Sequence, residues 1–403
     1  MADLTTEFVG LKLRNPVVVA PAAITETVER MKRCEDNGAG AVVVKSYFER
    51  EYMRRSPTPR FAVLHQRAGR ERAFTLYSYE QSSIYDLQRY AEEIRRAKEA
   101  LAIPVIASIA CVTDQGWADS AAACQQAGAD ALELNTSCPH GFHIMSDRDL
   151  AADMAHSLEA ARSTTSIPLI PKMTGQLSNP TETAVRLEEA GADGLVIFNR
   201  FTGLDLDIEA QRPIMHGGFA GHGGPWSLHY VLRWIVATAP RLSIPIAASG
   251  GVARSDDVVK LILAGAQVVQ TCTAVVLRGY AVIGRLVEGL ERYLERKGYQ
   301  TCAEFRGLVC NRVLGAEQVE RSFRQIAAIE QSRCVSCNQC YAVCIYDAVK
   351  RDGGYQVRPE VCDGCGLCVQ VCPAQCIGMV ERPADLPLPR QSTPQFLLSA
   401  EDH

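Results

Sequence analysis

Cys334, Cys337, Cys340 and Cys344, then Cys362, Cys365, Cys368 and Cys372, spell C-x2-C-x2-C-x3-C twice, the second time followed by Pro373. This is the bacterial spacing for iron–sulfur cubes, in which three cysteines of one run hold one cluster and the fourth ligand comes from the other run. The pattern predicts two [4Fe-4S] clusters, one on Cys334, Cys337, Cys340 and Cys372 and one on Cys362, Cys365, Cys368 and Cys344. C-x2-C pairs also bind zinc, but two complete four-cysteine runs in duplicate favour iron and sulfur. Ile345 stands where a proline often follows the fourth cysteine and removes no ligand. Cys376, a ninth cysteine nearby, reads as a small buried hydrophobe. Such clusters pass single electrons and do no group chemistry, so the rest of the chain should hold the group that those electrons serve.

A second stretch, Glu133-Leu134-Asn135-Thr136-Ser137-Cys138-Pro139-His140-Gly141, reads as a strand breaking into polar residues at an exposed rim. Asn135 offers a donor and acceptors to a ring amide. Cys138 at such a rim can serve as a proton donor or a nucleophile, against the plain alternative of inert packing. His140 either tunes that thiol or makes a structural hydrogen bond. Lys45 and Lys172 each end an apolar run. Each either faces an electron-rich group such as a flavin ring or pairs with a neighbouring carboxylate. Ser249-Gly250-Gly251 and Thr271-Cys272-Thr273 end the last two runs and suit a phosphate held by backbone N–H groups. The glycines from Gly217 to Gly224 form either a further backbone approach to a cofactor or a flexible loop.

The elements that must position these residues repeat one unit, a short apolar run followed by a helix-like stretch. The runs cover 17–21, 41–46, 105–110, 131–137, 169–173, 194–199, 245–251 and 267–273. Continuous apolar strands are buried on both faces, as in a parallel sheet. Several helices close on Gly, as at Gly128 and Gly191, which permits a left-handed turn into the next strand. Eight such units predict a (β/α)8 TIM barrel, with a doubly wound open sheet as the runner-up. No G-x-G-x-x-G follows the first strand, which argues against a dinucleotide-binding sheet. A short hairpin is expected over 8–13. Long insertions after the second and sixth strands, from 48 to about 85 and from 200 to about 224, are expected on the C-terminal face. The predicted division is 1–298 barrel, 299–332 helical connector, 333–382 an α+β bacterial-ferredoxin-like domain, and 383–403 an extended tail.

The totals agree. The composition, 47% hydrophobic and 22% charged, is that of a soluble globular protein. A net charge of −4 gives no reason to expect nucleic acid or an anionic membrane. Half of the 16 cysteines stand at cluster spacing, which sets aside a disulfide scaffold. The start, Met1-Ala2-Asp3-Leu4-Thr5, has neither a basic segment nor an apolar core, so a cytoplasmic location is expected.

Together these residues resemble the FMN-dependent dihydroorotate dehydrogenase-like barrels, and among them the iron–sulfur subunits of bacterial NAD-dependent dihydropyrimidine dehydrogenases. The resemblance covers nearly the whole chain. Its specific parts are Asn135-x-Ser137-Cys138-Pro139 and the double cysteine motif. It implies FMN on the barrel's C-terminal face, with Ala20, Lys45, Lys172, Gly250, Gly251, Cys272 and Thr273 at cofactor positions. Ser46 and Gly224 complete the expected cofactor set. Asn135 and Asn199 match residues that hold a pyrimidine ring. Cys138 matches a general acid that protonates a ring carbon while flavin N5 exchanges hydride with its neighbour. The resemblance thus implies reduction, or reversible oxidation, of an activated ring C=C bond. Since no nicotinamide-binding motif is present, electrons are expected from an NAD(P)H-oxidising FAD subunit or a ferredoxin, in an oligomeric assembly. A dihydroorotate-type or other cyclic acid is the alternative substrate, and an electron-transfer or assembly subunit with no substrate is the alternative class.

The chain departs from the family pattern in three places. Ser78 stands in the region where the family has a substrate-binding Asn, and Arg200 follows Asn199 where the family usually has Thr. The loop over 142–147 is short and lacks the usual glycines. Arg200 either faces the pocket, favouring an anionic substrate, or pairs with Asp205 or Asp207.

Overall fold

The structure, a computed structural model, describes residues 2–49, 61–68, 71–79, 83–136, 149–215, 218–319 and 325–386. The chain divides into two compact units, Met1–Val313 and Leu314–His403.

In the first unit eight parallel strands follow one another around a closed ring: β1 (Val17–Val19), β2 (Ala41–Val43), β3 (Val105–Ala110), β4 (Ala131–Leu134), β5 (Leu169–Met173), β6 (Leu195–Ile197), β7 (Ile246–Ser249) and β8 (Val268–Thr271). Closure is direct, since Val42 pairs with Val105 across β2 and β3 and Val269 with Val17 across β8 and β1. The fold is therefore a TIM barrel and not an open sheet. Each of the eight apolar runs supplies one strand. The outer helices are α1 (Val28–Asp36), α2 (Leu87–Ala100), α3 (Asp114–Gln126), α4 (Leu150–Arg162), α5 (Pro180–Glu189), α6 (Leu228–Thr238), α7 (Ser255–Leu263), α8 (Thr273–Arg278) and α9 (Val282–Lys297). Side chains of Thr27, Asp86, Thr113 and Asp149 accept backbone N–H groups at the starts of α1 to α4, satisfying donors that the helix itself leaves free. Gly128 and Gly191 close helices at φ +87° and +92°, as their sequence positions predicted.

Strand alternation builds the barrel interior in layers. Val18, Ile106, Ala131, Ile170, Val196, Ala247 and Val268 form an apolar inner layer with Phe8 and Leu13 of the N-terminal hairpin. That hairpin pairs Thr6–Phe8 with Leu11–Leu13 and seals the end where the strands begin. Two residues further along β3, β4, β5 and β8 the inward positions turn polar: Ser108, Glu133, Lys172 and Gln270, all buried. The apolar layer thus floors a polar one at the C-terminal end.

The two long insertions form one structure. Phe201–Gly203, Ala220–Gly223, Glu71–Ser78 and Phe61–Ala68 make a four-stranded antiparallel sheet in that order. Its register sets Ser78 opposite Gly221 and Tyr77 opposite His222. Past α9 the chain packs back on the barrel: Phe305 is fully buried, and the N–H groups of Gly307 and Val309 bond to the carbonyls of Ile262 and Leu263.

In the second unit Gln325–Ile329 pairs antiparallel with Ile377–Glu381, and Val349–Arg351 with Tyr355–Val357. Short helices Gln339–Ala342 and Leu367–Val371 complete this ferredoxin-like unit. Within 299–332, where a helical connector is expected, the described residues form 3-10 turns at Cys302–Glu304, Cys310–Arg312 and Gln331–Arg333, together with the strand Gln325–Ile329. Burial of Phe305 on the barrel and pairing with Ile377–Glu381 commit those residues to the two flanking units. Among the described residues, no helix is long and apolar enough to cross a membrane.

Candidate active site and cysteine cavities

A cavity of about 270 Å³ opens at the C-terminal end of the barrel under the insertion sheet. Ala20, Lys45, Ser46, Ser78, Asn135, Lys172, Asn199, Arg200, Gly224, Gly250, Gly251, Cys272 and Thr273 all line it, so the structure gathers these sequence-predicted positions in one place. Cys138, with Ser137, Pro139, His140 and the loop over 142–147, lies outside the described residues.

The floor is a charged network. Lys172 Nζ donates to Glu133 Oε1 at 3.1 Å and to Gln270 Oε1 at 2.9 Å, and Gln270 Nε2 donates to Glu133 Oε2 at 2.7 Å. All three side chains are buried, so the ion pair and its bridging amide compensate one another's desolvation. Of the two alternatives for Lys172, a carboxylate partner is present, and the residue still lines the cavity. Lys45 Nζ lies 5.1 Å from the Phe48 ring centre, within cation–π range. Ser46 Oγ shares a 2.8 Å hydrogen bond with Ser108 Oγ.

One wall is bare backbone. Gly250 and Gly251 have φ of +122° and +79°. A Cβ on Gly251 would stand 2.4 Å from Leu228 N, and one on Gly223 would stand 2.4 Å from Thr273 Oγ1. The chain here approaches itself as only glycine allows, which leaves peptide groups facing the cavity. Thr271 Oγ1 is buried nearby in sequence and has no hydrogen-bond partner among the described residues.

The opposite wall carries amides and a guanidinium. Asn199 Nδ2 donates to Asn135 Oδ1 at 2.9 Å, and Asn199 Oδ1 accepts from Arg200 N at 3.0 Å. The Arg200 guanidinium donates to Ser78 Oγ. Its stem lies against Gly221, where a Cβ would fall 2.2 Å from Arg200 Cδ. The Oδ1 atoms of Asp205 and Asp207, the alternative partners of Arg200, accept backbone N–H groups of Leu206, Glu209 and Ala210. Two residues of the insertion sheet, Tyr77 and His222, pair edge-to-face at 4.8 Å, and burial holds the His222 imidazole below its usual pKa.

Two small cavities lie among the described residues of the second unit. One is lined by Cys334, Cys337, Cys340, Cys372 and Cys376, the other by Cys344, Cys362, Cys365 and Cys368. Each gathers three cysteines of one run with the fourth of the other. Backbone N–H groups of Ala348 and Ala327 point at Cys344 Sγ and Cys362 Sγ, at 3.3 and 3.5 Å. Four thiols around a cavity, with N–H donors to sulfur, suit a polynuclear cluster.

Residues 3–294 match the family model described as dihydroorotate dehydrogenase, and residues 327–379 that of a 4Fe-4S dicluster domain. The chain belongs to the dihydroorotate dehydrogenase family. This family member is therefore an oxidoreductase acting on CH–CH groups; the family implies FMN, and the dicluster domain implies iron–sulfur clusters. The chain is 30% identical to NAD-dependent dihydropyrimidine dehydrogenase subunit PreA of Escherichia coli (strain K12), over 94% of this chain and 96% of that protein. The catalytic subunit of dihydroorotate dehydrogenase B (NAD(+)) of Pyrococcus abyssi is 34% identical, over 76% of this chain and 98% of its own length. That of Pyrococcus furiosus is 33% identical, again over 76% of this chain. The E. coli similarity, at 94% of this chain, is long enough to reach into the cysteine unit, whereas the archaeal ones cover 76%.

Sequence reading missed Glu133, Gln270 and Ser108 as members of the site. Their signal is periodic: each stands two residues after an apolar inward residue of the same strand.

Proposed function

We propose that this family member reduces, or reversibly oxidises, an activated C=C bond in a pyrimidine-like ring, with electrons delivered through two [4Fe-4S] clusters. The observation that carries the reading is the Asn135–Asn199 pair, which lines one cavity with Lys172 and Gln270, whose network Glu133 completes beneath. Asn135 and Asn199 orient each other, leaving amide atoms to match the N–H and C=O edge of a ring. Lys172, Lys45 and the peptide groups of Gly250 and Gly251 would hold FMN, as would Ala20, Ser46, Gly224, Cys272 and Thr273. FMN, when bound, supplies hydride exchange. Cys138 supplies the proton. The eight cysteines of the two runs hold the clusters, and the partner is an NAD(P)H-oxidising FAD subunit or a ferredoxin.

The test is anaerobic. The dithionite-reduced protein is mixed with uracil, thymine and a panel of cyclic unsaturated acids, and flavin reoxidation is followed. Rapid reoxidation by a ring compound is expected. None from any of them would leave an electron-transfer or assembly subunit. With the best oxidant, Cys138→Ala is expected to slow reoxidation by roughly 10²–10⁴-fold, the usual contribution of a general acid.

Arg200 favours a second reading, an anionic ring such as a dihydroorotate-type acid, because its guanidinium is fixed in the cavity wall by Ser78 and Gly221. Arg200→Leu is then expected to lower kcat/KM for a carboxylate-bearing ring by roughly 10–100-fold, the worth of one hydrogen bond to a charged group. Neutral pyrimidines should be little affected. An equal loss on both substrate types would remove the anionic reading.

A further inference from the structure

Cys376 is held in place by tertiary structure. Gln375 before it adopts φ +49°, and the Cys376 carbonyl accepts from Glu330 N at 2.8 Å. The strand Ile377–Glu381 that follows is paired along its length with Gln325–Ile329. This anchoring puts Cys376, a residue only 5% exposed, on the wall of the cavity that Cys334, Cys337, Cys340 and Cys372 surround. Its Sγ lies 3.5 Å from Cys372 Sγ. Two thiolates on one tetrahedral metal, with bonds of about 2.3 Å, stand about 3.8 Å apart, so an iron within reach of Cys372 is within reach of Cys376. The other cavity has four cysteines on its wall and no fifth among the described residues.

We propose that Cys376 is a reserve ligand of the first cluster, able to take the iron that Cys372 gives up. This rests on the reading that Cys334, Cys337, Cys340 and Cys372 hold a [4Fe-4S] cluster. In the exchange one iron–sulfur bond breaks at Cys372 and one forms at Cys376. The proton leaves the Cys376 thiol and passes to the Cys372 thiolate, and no electron is transferred. The two clusters are then unequal, because loss or oxidation of the motif's fourth cysteine is survivable in the first and not in the second.

The test uses the full chain purified without oxygen, with iron and sulfide counted and the reduced clusters followed by electron paramagnetic resonance. Wild type with fewer than two clusters' worth of iron would overturn the cluster reading itself. Given two, Cys372→Ala is expected to keep both clusters, with an altered signal from one. Cys344→Ala, the matching position of the other cavity, and Cys372→Ala/Cys376→Ala should each lose about half the iron, one cluster of two. Loss from Cys372→Ala equal to that of the double variant overturns the proposal. Should Cys372→Ala fail to fold, Cys376→Ala decides. It is expected to keep both clusters yet release iron to a chelator faster than wild type, and an unchanged release rate overturns the proposal.

Discussion

Replacing Glu133 by Leu is expected to destabilise the barrel by about 3–5 kcal/mol, and adding Lys172→Met is expected to recover most of that loss. Glu133 is 1% and Lys172 4% exposed, so both charges are largely withdrawn from solvent. Their mutual attraction and the two hydrogen bonds through Gln270 offset the desolvation. Removing the carboxylate alone takes the counter-charge from a buried ammonium and leaves Gln270 Nε2 without that acceptor. Removing both charges fills the same volume with apolar atoms next to the layer of Ala131, Ile170 and Val268, which already tolerates them. The measurement is urea unfolding of the flavin-free protein for both single variants and the double. A double variant as unstable as the sum of the singles would show that the two charges are not coupled. The functional counterpart is positional. Glu133 and Gln270 hold the Lys172 ammonium where it lines the cavity, so the network prearranges a cation for whatever occupies it.

The barrel was legible because a parallel strand is buried on both faces and is therefore mostly apolar along its length. The runs at 105–110 and 169–173 coincide with β3 and β5. The run at 131–137 is longer than β4, since Asn135 and the polar residues after it continue past Leu134. The cysteine runs were legible because cluster ligation fixes their spacing. What stayed hidden depends on pairing between distant segments. Nothing local in 61–78 or 201–223 says that the two insertions share a sheet, yet that sheet brings Ser78 to Arg200 across 122 positions. Cys376 was visible in the sequence as a nearby cysteine, and its burial agrees with that reading; its place beside Cys372 is set by the pairing of Ile329 with Ile377. Glu133 and Gln270 are a different case. Their strand periodicity is present in the sequence, but a polar residue inside an apolar run does not say which face of the strand it occupies.

Gly251→Ala is expected to cost about 2–6 kcal/mol and to abolish flavin retention, the sum of backbone strain and overpacking at one site. At φ +79° an alanine is strained by its own Cβ. That Cβ would also stand 2.4 Å from Leu228 N and 2.7 Å from Leu228 Cα, at the start of α6. These are backbone atoms, so no rotamer change relieves the overlap, and either β7's end or the start of α6 must move. Both border the cavity, through Ser249, Gly250 and Ser227. Gly298 supplies the control. Its φ is +76° in the left-handed turn that ends α9, and a Cβ there meets nothing within 4 Å. Gly298→Ala therefore carries the strain without the overlap, about 1–2 kcal/mol, and should keep its flavin. Flavin per chain after desalting, read beside the thermal midpoint, separates the two. If Gly251→Ala retains flavin and melts with Gly298→Ala, the close approach of β7 and α6 does not shape the cofactor wall.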